Sequence, residues 1–400
     1  MKKTSLSELL RTTAYIGLVG YGGPAILALM KKTFVHKKEW VSEKEFMNAL
    51  SLAQVLPGAT GVSVIGYIGF KLKKLWGAIL APLFYILPAT IFMIVLSWVY
   101  FTYGNLSFVK ALFAGLGSLV VALLVNATLI LGRSVFKKID RKDIKGLVIG
   151  VAAFIGIYFL KINIVWIIFA SGSLGFLFYY FTREFEDEKT DTGEALLSEP
   201  KTLKREPLSA KDFIPVILVA LIFLTGLLLP TTRNIITTFL GIGTLAFGGG
   251  FTTIPLIQHQ VVDVHGWLSV KQFVDGIALG QITPGPVFIT ATFIGYHVTA
   301  ILGALFATLA IFAPSLTAMI ALADIHGRVQ NLKIVKVVVK GFLSGFIGLL
   351  AAVTLQFAFK SLIGWQAWLI FALSIIWLLI LKKDSVWAIL GTILLSLILF

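Results

Sequence analysis

Four short Gly/Pro runs interrupt long apolar segments: Gly22-Gly23-Pro24, Pro57-Gly58, Gly248-Gly249-Gly250 and Pro284-Gly285-Pro286. Beside them stand uncharged hydrogen-bond donors, Gln54, Thr60 and Ser63 around the second run and Gln281, Thr283 and Thr290 around the fourth. Proline removes a main-chain donor and glycine loosens a helix, so each run splits a helix and leaves a new N-terminus behind it. Unsatisfied N–H groups and the helix dipole favour an anion at such a terminus. Magnitudes limit what dipoles do alone. Burying a free dianion costs tens of kcal/mol, and four termini at ~0.3 to 2 kcal/mol each do not offset it. Charge-assisted hydrogen bonds, at roughly 1.5 to 3 kcal/mol apiece, and retained water must add to them. The chemistry on offer is passage of a small anion. No His, Asp, Glu or Ser constellation of the kind a nucleophile or acid–base pair needs accompanies it.

These runs belong to a duplicated unit. Trp40 to Tyr67 reads WVSEKEFMNALSLAQVLPGATGVSVIGY, and Trp267 to Tyr296 reads WLSVKQFVDGIALGQITPGPVFITATFIGY. Trp40 with Trp267, Phe46 with Phe273, Gln54 with Gln281 and Pro57 with Pro284 are all 227 positions apart. At an offset of 226, Gly17 pairs with Gly243, Gly22 with Gly248, Gly77 with Gly303, Pro88 with Pro314 and Gly115 with Gly341. Ser42 caps a helix with Glu45 in its first turn, and that helix ends near Leu56.

The elements that carry these runs belong in lipid. The 400-residue chain is 58% hydrophobic, 13% charged and has a mean hydropathy of +0.94, too little polar surface to cover a soluble globule. Apolar segments that suit a crossing lie at about 76–101, 107–132, 144–160, 163–182, 212–229, 300–323, 332–358, 361–381 and 385–400. The start has no short apolar core with a cleavage site, so it is not a secretory signal. Zero cysteines exclude disulfides and thiolate chemistry. The net charge of +15 sits in short loops between apolar runs, which fits cytoplasmic membrane loops and not nucleic acid.

The expected fold is an all-α polytopic membrane protein made of two inverted-topology repeats with broken, re-entrant helices. The divisions are 1–182, a first membrane repeat; 183–211, a charged cytoplasmic linker; 212–230, a connecting transmembrane helix; and 231–400, the second repeat, inverted. The linker holds six Lys/Arg and eight Asp/Glu. Loop charge carries the inversion. Lys31, Lys32, Lys37, Lys38 and Lys44 face Lys271 alone, whereas the empty 101–109 loop faces Arg328 and Lys333. Arg133, Lys137, Lys138, Arg141, Lys142 and Lys145 face only Lys360. Placing basic loops in the cytoplasm makes the broken segments return to their own side and gives about nine crossings, with the N-terminus and linker inside and the C-terminus outside. Full crossing by the broken segments would make about thirteen.

Plainer readings stand beside these. Glycine and proline in membrane helices also serve packing and kinks, and Gln54 and Gln281 also suit interhelical hydrogen bonds. Gly241-Ile-Gly-Thr-Leu-Ala246 imitates a dinucleotide fingerprint but lacks the strand and βαβ unit. His259, Asp263 and His265, in an expected loop, lack a third well-spaced metal ligand and read as surface residues. Gly341, Ser344, Gly345 and Gly348 read as a packing stripe. No cofactor or metal is expected. The bilayer and a small inorganic anion are the expected partners, and homodimerisation stays open.

At these residues the chain resembles the chromate ion transporter (CHR) family. The resemblance rests on Tyr21-Gly-Gly-Pro24 with Phe247-Gly-Gly-Gly250, on Gly266-Trp-Leu-Ser269 before Phe273, on Pro284-Gly-Pro286 with Pro57-Gly58, and on Gly-Tyr at 66–67 and 295–296. It implies a carrier in the cytoplasmic membrane of a prokaryote that exports chromate at the expense of the proton-motive force, with sulfate as a look-alike substrate. The chain departs from the family pattern at Tyr21 and Ala59, where the family has Phe and the second Pro. Thr33 and Gln260 stand where it has an acidic residue. Asp275, opposite Asn48 in the first repeat, and Glu45 are the replacement candidates for coupling. Two other classes stay open: an anion channel on the same scaffold, and a membrane-embedded enzyme acting on a lipid phosphate.

Overall fold

The computed structural model describes residues 4–21, 23–136, 144–180, 209–322 and 332–400. Gly22, linker residues 183–208, Lys137, Lys138, Arg141, Lys142 and Arg328 lie outside them. Every regular element among the described residues is helical. In chain order the α-helices are α1 (Leu6–Val19), α2 (Gly23–Lys31), α3 (Glu43–Val55), α4 (Thr60–Tyr103), α5 (Ser107–Val135), α6 (Ile144–Tyr158) and α7 (Ile164–Tyr179). Then come α8 (Ile214–Leu228), α9 (Pro230–Leu245), α10 (Thr253–Gln258), α11 (Val270–Ile282), α12 (Thr290–Leu322), α13 (Lys333–Ser361), α14 (Gly364–Ile375) and α15 (Ser385–Leu399).

Among the described residues five spans are long and apolar enough to cross a membrane, and four shorter apolar helices accompany them. These nine coincide closely with the nine apolar runs in the sequence. The Gly/Pro-broken segments behave differently. α4 is two helices, because Lys73 and Lys74 leave helical geometry (φ 51° at Lys74), and α12 breaks in the same way at Thr299 and Ala300 (φ 50° at Ala300). We call the parts α4a, α4b, α12a and α12b. The reversal is tight. A Cβ on Gly69 would lie 2.2 Å from the Gly77 carbonyl oxygen, and one on Gly295 would lie 2.1 Å from that of Gly303. Glycine is required where two backbones touch this closely. The equivalence therefore pairs Gly69 with Gly295, so the Gly-Tyr pairs at 66–67 and 295–296 are not structural counterparts.

Each broken segment returns to the side it left. α3 enters and α4a comes back, and an ion pair between Glu45 and Lys71 ties their outer ends. In the second repeat, His297 at the end of α12a is hydrogen-bonded to the backbone of Trp267, just ahead of α11. The first hairpin is closed by Lys38 on Glu8 at 2.7 Å, and its counterpart by Thr238 Oγ1 to His265 Nε2 at 3.0 Å. Straight continuation of α1 and the 15 residues after its break would separate those ends by some tens of Å at ~1.5 Å per residue.

The duplication extends to details. Both repeats carry a π-helix, Lys32–Lys37 and His259–Val264, and a capping box, Ser42 with Glu45 and Ser269 with Gln272. His259 and Asp263 thus sit in a π-helix and not in a loop. The His259 side chain is only 15% exposed, so it is not the surface residue that the sequence implied.

The repeats interlock and run opposite ways. Phe101, near the end of α4b, lies against the His297 ring with centroids 4.6 Å apart and the rings tilted by 31°, beside the start of α12b. The end of one long helix thus meets the beginning of its counterpart. α5 is embraced by α14 and α15, and α13 by α6 and α7. Small residues set that contact: a Cβ on Gly175 would lie 2.5 Å from Gly341 Cα, and one on Gly348 would overlap the Gly150 carbonyl. The stripe at 341–348 is packing, because dispersion at close backbone approach holds helices together where lipid is as apolar as leucine.

Candidate functional site

The four breaks meet at the centre. Gly58 N–H, after α3, donates to the Ala246 carbonyl after α9 at 2.7 Å. Gly285 N–H, after α11, donates to the Gly20 carbonyl after α1 at 2.9 Å. Gly58 and Gly285 are counterparts, as are Gly20 and Ala246, so the two bonds form a reciprocal pair across the repeat boundary. Packing repeats the relation. Gly58 (φ +107°) sits against Ser315 of α12b, and Gly285 (φ +120°) against Ala89 of α4b, itself the counterpart of Ser315. Both glycines lie in a backbone region essentially closed to other residues.

Around these bonds lies a cavity of about 170 Å³, well above the ~10 to 15 Å³ that one water occupies by this measure. Every break contributes to its lining: Tyr21 from the first, Ala59 and Thr60 from the second, Gly249 and Gly250 from the third, Gly285 and Pro286 from the fourth. Among the described residues the lining carries no charged side chain. Its polar groups are hydroxyls, an amide and main chain. Gln281 lines the cavity, and its Nε2 is buried without a hydrogen-bond partner. Thr283 Oγ1 is engaged by the Leu279 carbonyl at 2.9 Å and accepts more easily than it donates.

The sequence candidates therefore separate. Thr60, Gly249, Gly250, Gln281, Thr283, Gly285 and Pro286 line the cavity. Gln54 is exposed and away from it, unlike its counterpart Gln281. Pro57, Gly58, Gly248 and Pro284 shape the breaks behind the wall, and the N–H groups of Gly58 and Gly285 are already used between repeats. Gly23 and Pro24 open α2. Ser63 Oγ is buried without a partner, and Thr290 Oγ1 donates to the Val287 carbonyl at 3.0 Å. Glu45 accepts from Ser42 N–H in its capping box and pairs with Lys71, which accounts for it structurally. Asp275 is 3% exposed, away from the cavity, and accepts from the Tyr100 hydroxyl at 2.7 Å. That bond joins α11 of one repeat to α4b of the other.

Two polar contributors were not singled out from sequence. Tyr85 of α4b lines the cavity, and nothing in its apolar surroundings marks it. Ser385, the first residue of α15, also lines it, two and three positions beyond exposed Lys383 and Lys382. The Lys382-Lys383-Asp384-Ser385 cluster between apolar runs was the available signal.

The architecture defines an all-α polytopic membrane protein whose broken helices line a small uncharged cavity at the meeting of two inverted repeats, an arrangement known from membrane transporters. The chain belongs to the chromate transporter family, whose model matches residues 7–176 and 233–397. It is 35% identical over 390 residues to an uncharacterized transporter of Methanocaldococcus jannaschii, covering 96% of this chain and 91% of that protein. It is 27% identical over 382 residues to the chromate transport protein of Cupriavidus metallidurans, covering 95% and 90%. An uncharacterized transporter of Bacillus subtilis matches at 28% over 164 residues, 82% of its own length and 41% of this chain, so a unit near the size of one repeat exists as a separate protein. No solved structure matches the chain.

Proposed function

We propose that this protein is a secondary carrier that moves a tetrahedral oxyanion, chromate or a sulfate-like anion, across the cytoplasmic membrane of a prokaryote by alternating access. The observation that carries the reading is the reciprocal pair Gly58 to Ala246 and Gly285 to Gly20, which gathers all four breaks around one uncharged cavity with hydroxyl, amide and main-chain groups in its wall. Helix-start main chain, Thr60 and the free Gln281 amide offer donors to an anion that keeps part of its water. The absence of a fixed cation in the wall around the breaks suits a solute that must leave again, because a buried ion pair would hold it. Residues 1–182 and 231–400 act as the two inverted units, rocking about the cavity, with 183–211 as cytoplasmic linker and 212–230 as connecting span. The nine apolar helices are the crossings, with the N-terminus inside and the C-terminus outside. Export is driven by the proton-motive force, with Asp275 as the proton-exchanging group because it is the buried carboxylate shared between repeats.

The test is flux of labelled chromate and sulfate in proteoliposomes, with and without an imposed pH gradient. A carrier gives saturable flux and counterflow. Unsaturating flux without counterflow would make it a channel, and product formation from a lipid phosphate in detergent would make it an enzyme.

A further inference from the structure

The helix that joins the two repeats, α8, is held at its ends and stands off between them. At its start the Lys74 ammonium reaches Asp212 Oδ2 at 3.4 Å, and the Trp76 indole N–H donates to the Lys211 carbonyl at 3.2 Å. Near its end Gly226 packs so closely on Phe306 and Ile236 that an added Cβ would lie 2.4 and 2.5 Å from them. Of its residues only Pro215 and Gly226 are buried. Its apolar window is 11% buried, against 44 to 67% in the other four long spans.

Beneath the middle of α8 runs a groove of about 290 Å³. Val216, Val219 and Phe223 form its roof, opposite Leu83 of α4b and Phe312 and Leu316 of α12b. Its walls are apolar but for Thr317, and it follows the seam between the two repeats. One mouth is basic. Leu75, which lines the groove, directly follows Lys73-Lys74, and the roof residue Val216 lies five positions after Lys211. The nearby acids are matched, Asp212 by Lys74 and Glu45 by Lys71. Lys73 and Lys211 have no acidic partner among the described residues.

We propose that this groove binds an anionic phospholipid, one acyl chain lying under α8 and the phosphate held by Lys73 and Lys211, with Trp76 at the level of the glycerol. An apolar channel at bilayer depth takes up hydrocarbon, since lipid is the solvent on its open side. Two lysines and an indole at one end of it supply what an anionic headgroup at the interface needs. The chain's own linker is the poorer occupant, because 183–211 carries six Lys/Arg and eight Asp/Glu and no apolar run to fill such a channel. The lipid would lie in the seam along which α4b and α12b must slide if the repeats rock, and so would bias that motion.

The experiment is lipid retention by the full-length protein, measured by native mass spectrometry after delipidation and titration with phosphatidylglycerol or phosphatidylcholine of identical chains. Wild type is expected to retain phosphatidylglycerol in preference. Lys73→Gln and Lys211→Gln each lower that preference about fivefold, the effect of one lysine near an anionic surface, and leave phosphatidylcholine retention unchanged. Val219→Trp, which fills the groove from the exposed helix, abolishes retention of both lipids while the protein stays monodisperse by gel filtration. Equal retention of the two lipids by wild type overturns the headgroup assignment. Retention that survives Val219→Trp overturns the groove. If only a linker-deleted chain binds lipid, the linker is the occupant and the proposal fails. None of these readouts involves transport, so they stand or fall apart from the carrier reading.

Discussion

Gly58→Ala tests the reciprocal join of the repeats directly. The residue has φ +107°, and its Cβ would lie 2.3 Å from Ser315 Cβ. Backbone strain in that region costs about 1 to 3 kcal/mol, and forcing a methyl into a packed contact costs about 1 to 3 kcal/mol more. The sum, about 2 to 6 kcal/mol, is a large share of the ~5 to 15 kcal/mol that holds a typical fold. The two terms separate in a double mutant. Ser315→Gly removes the atom in the way and leaves the dihedral as it was, so the pair Gly58→Ala/Ser315→Gly should recover about 1 to 3 kcal/mol of the loss and no more. The same logic applies across the pseudo-symmetry. Gly285→Ala has φ +120° and a looser 2.9 Å approach to Ala89 Cβ, so it should cost less, with Ala89→Gly as its rescue. Thermal unfolding in detergent, read by monodispersity and tryptophan fluorescence, gives the four-member cycle, and proteoliposome flux on the surviving protein gives the functional side. Wild-type stability of Gly58→Ala, or no rescue by Ser315→Gly, would refute the reasoning.

Gln281→Leu, which deletes the free amide at the cavity, should lower flux by about tenfold to 150-fold, the worth of one hydrogen bond to a charge at roughly 1.5 to 3 kcal/mol. Gln54→Leu should leave flux near wild type; equal effects would show that the cavity does not discriminate them. Tyr100→Phe strips the inter-repeat bond from Asp275 and should destabilise the protein by about 1 to 3 kcal/mol, seen as a lower Tm, while Asp275→Asn abolishes the response of flux to a pH gradient. The Glu43 carboxyl is held below the usual carboxylate range by its hydrogen bond from Lys31, so the stability it adds is present at neutral pH and is lost only as pH falls through that lowered value. Between about pH 5.5 and 8 it does not titrate, and Glu43→Gln should leave the pH profile of flux unchanged. Lys382→Gln/Lys383→Gln should raise KM with little change in maximal rate, and added salt should shrink the difference; an unchanged KM would show that those lysines do not draw the anion toward the cavity.

Much of this molecule was written in local pattern. Hydropathy placed the nine apolar helices within a few residues, because a crossing segment has to satisfy its own backbone and cover itself with apolar side chains. The offsets of 226 and 227 announced the duplication, and Ser42 with Glu45 announced a capping box. Proline and glycine marked the breaks, since their effect on a helix is local. Three-dimensional packing decided the rest. Gln54 and Gln281 are equivalent by position and only one reaches the cavity; Gly69 and not Gly66 answers to Gly295; Tyr85 and Ser385 arrive from helices far along the chain. The join of Gly58 to Ala246 and of Gly285 to Gly20 links positions 188 and 265 residues apart. A residue's sequence neighbours set what its backbone can do, whereas which other backbone it meets depends on how two nearly identical units, turned against each other, fill the space between them.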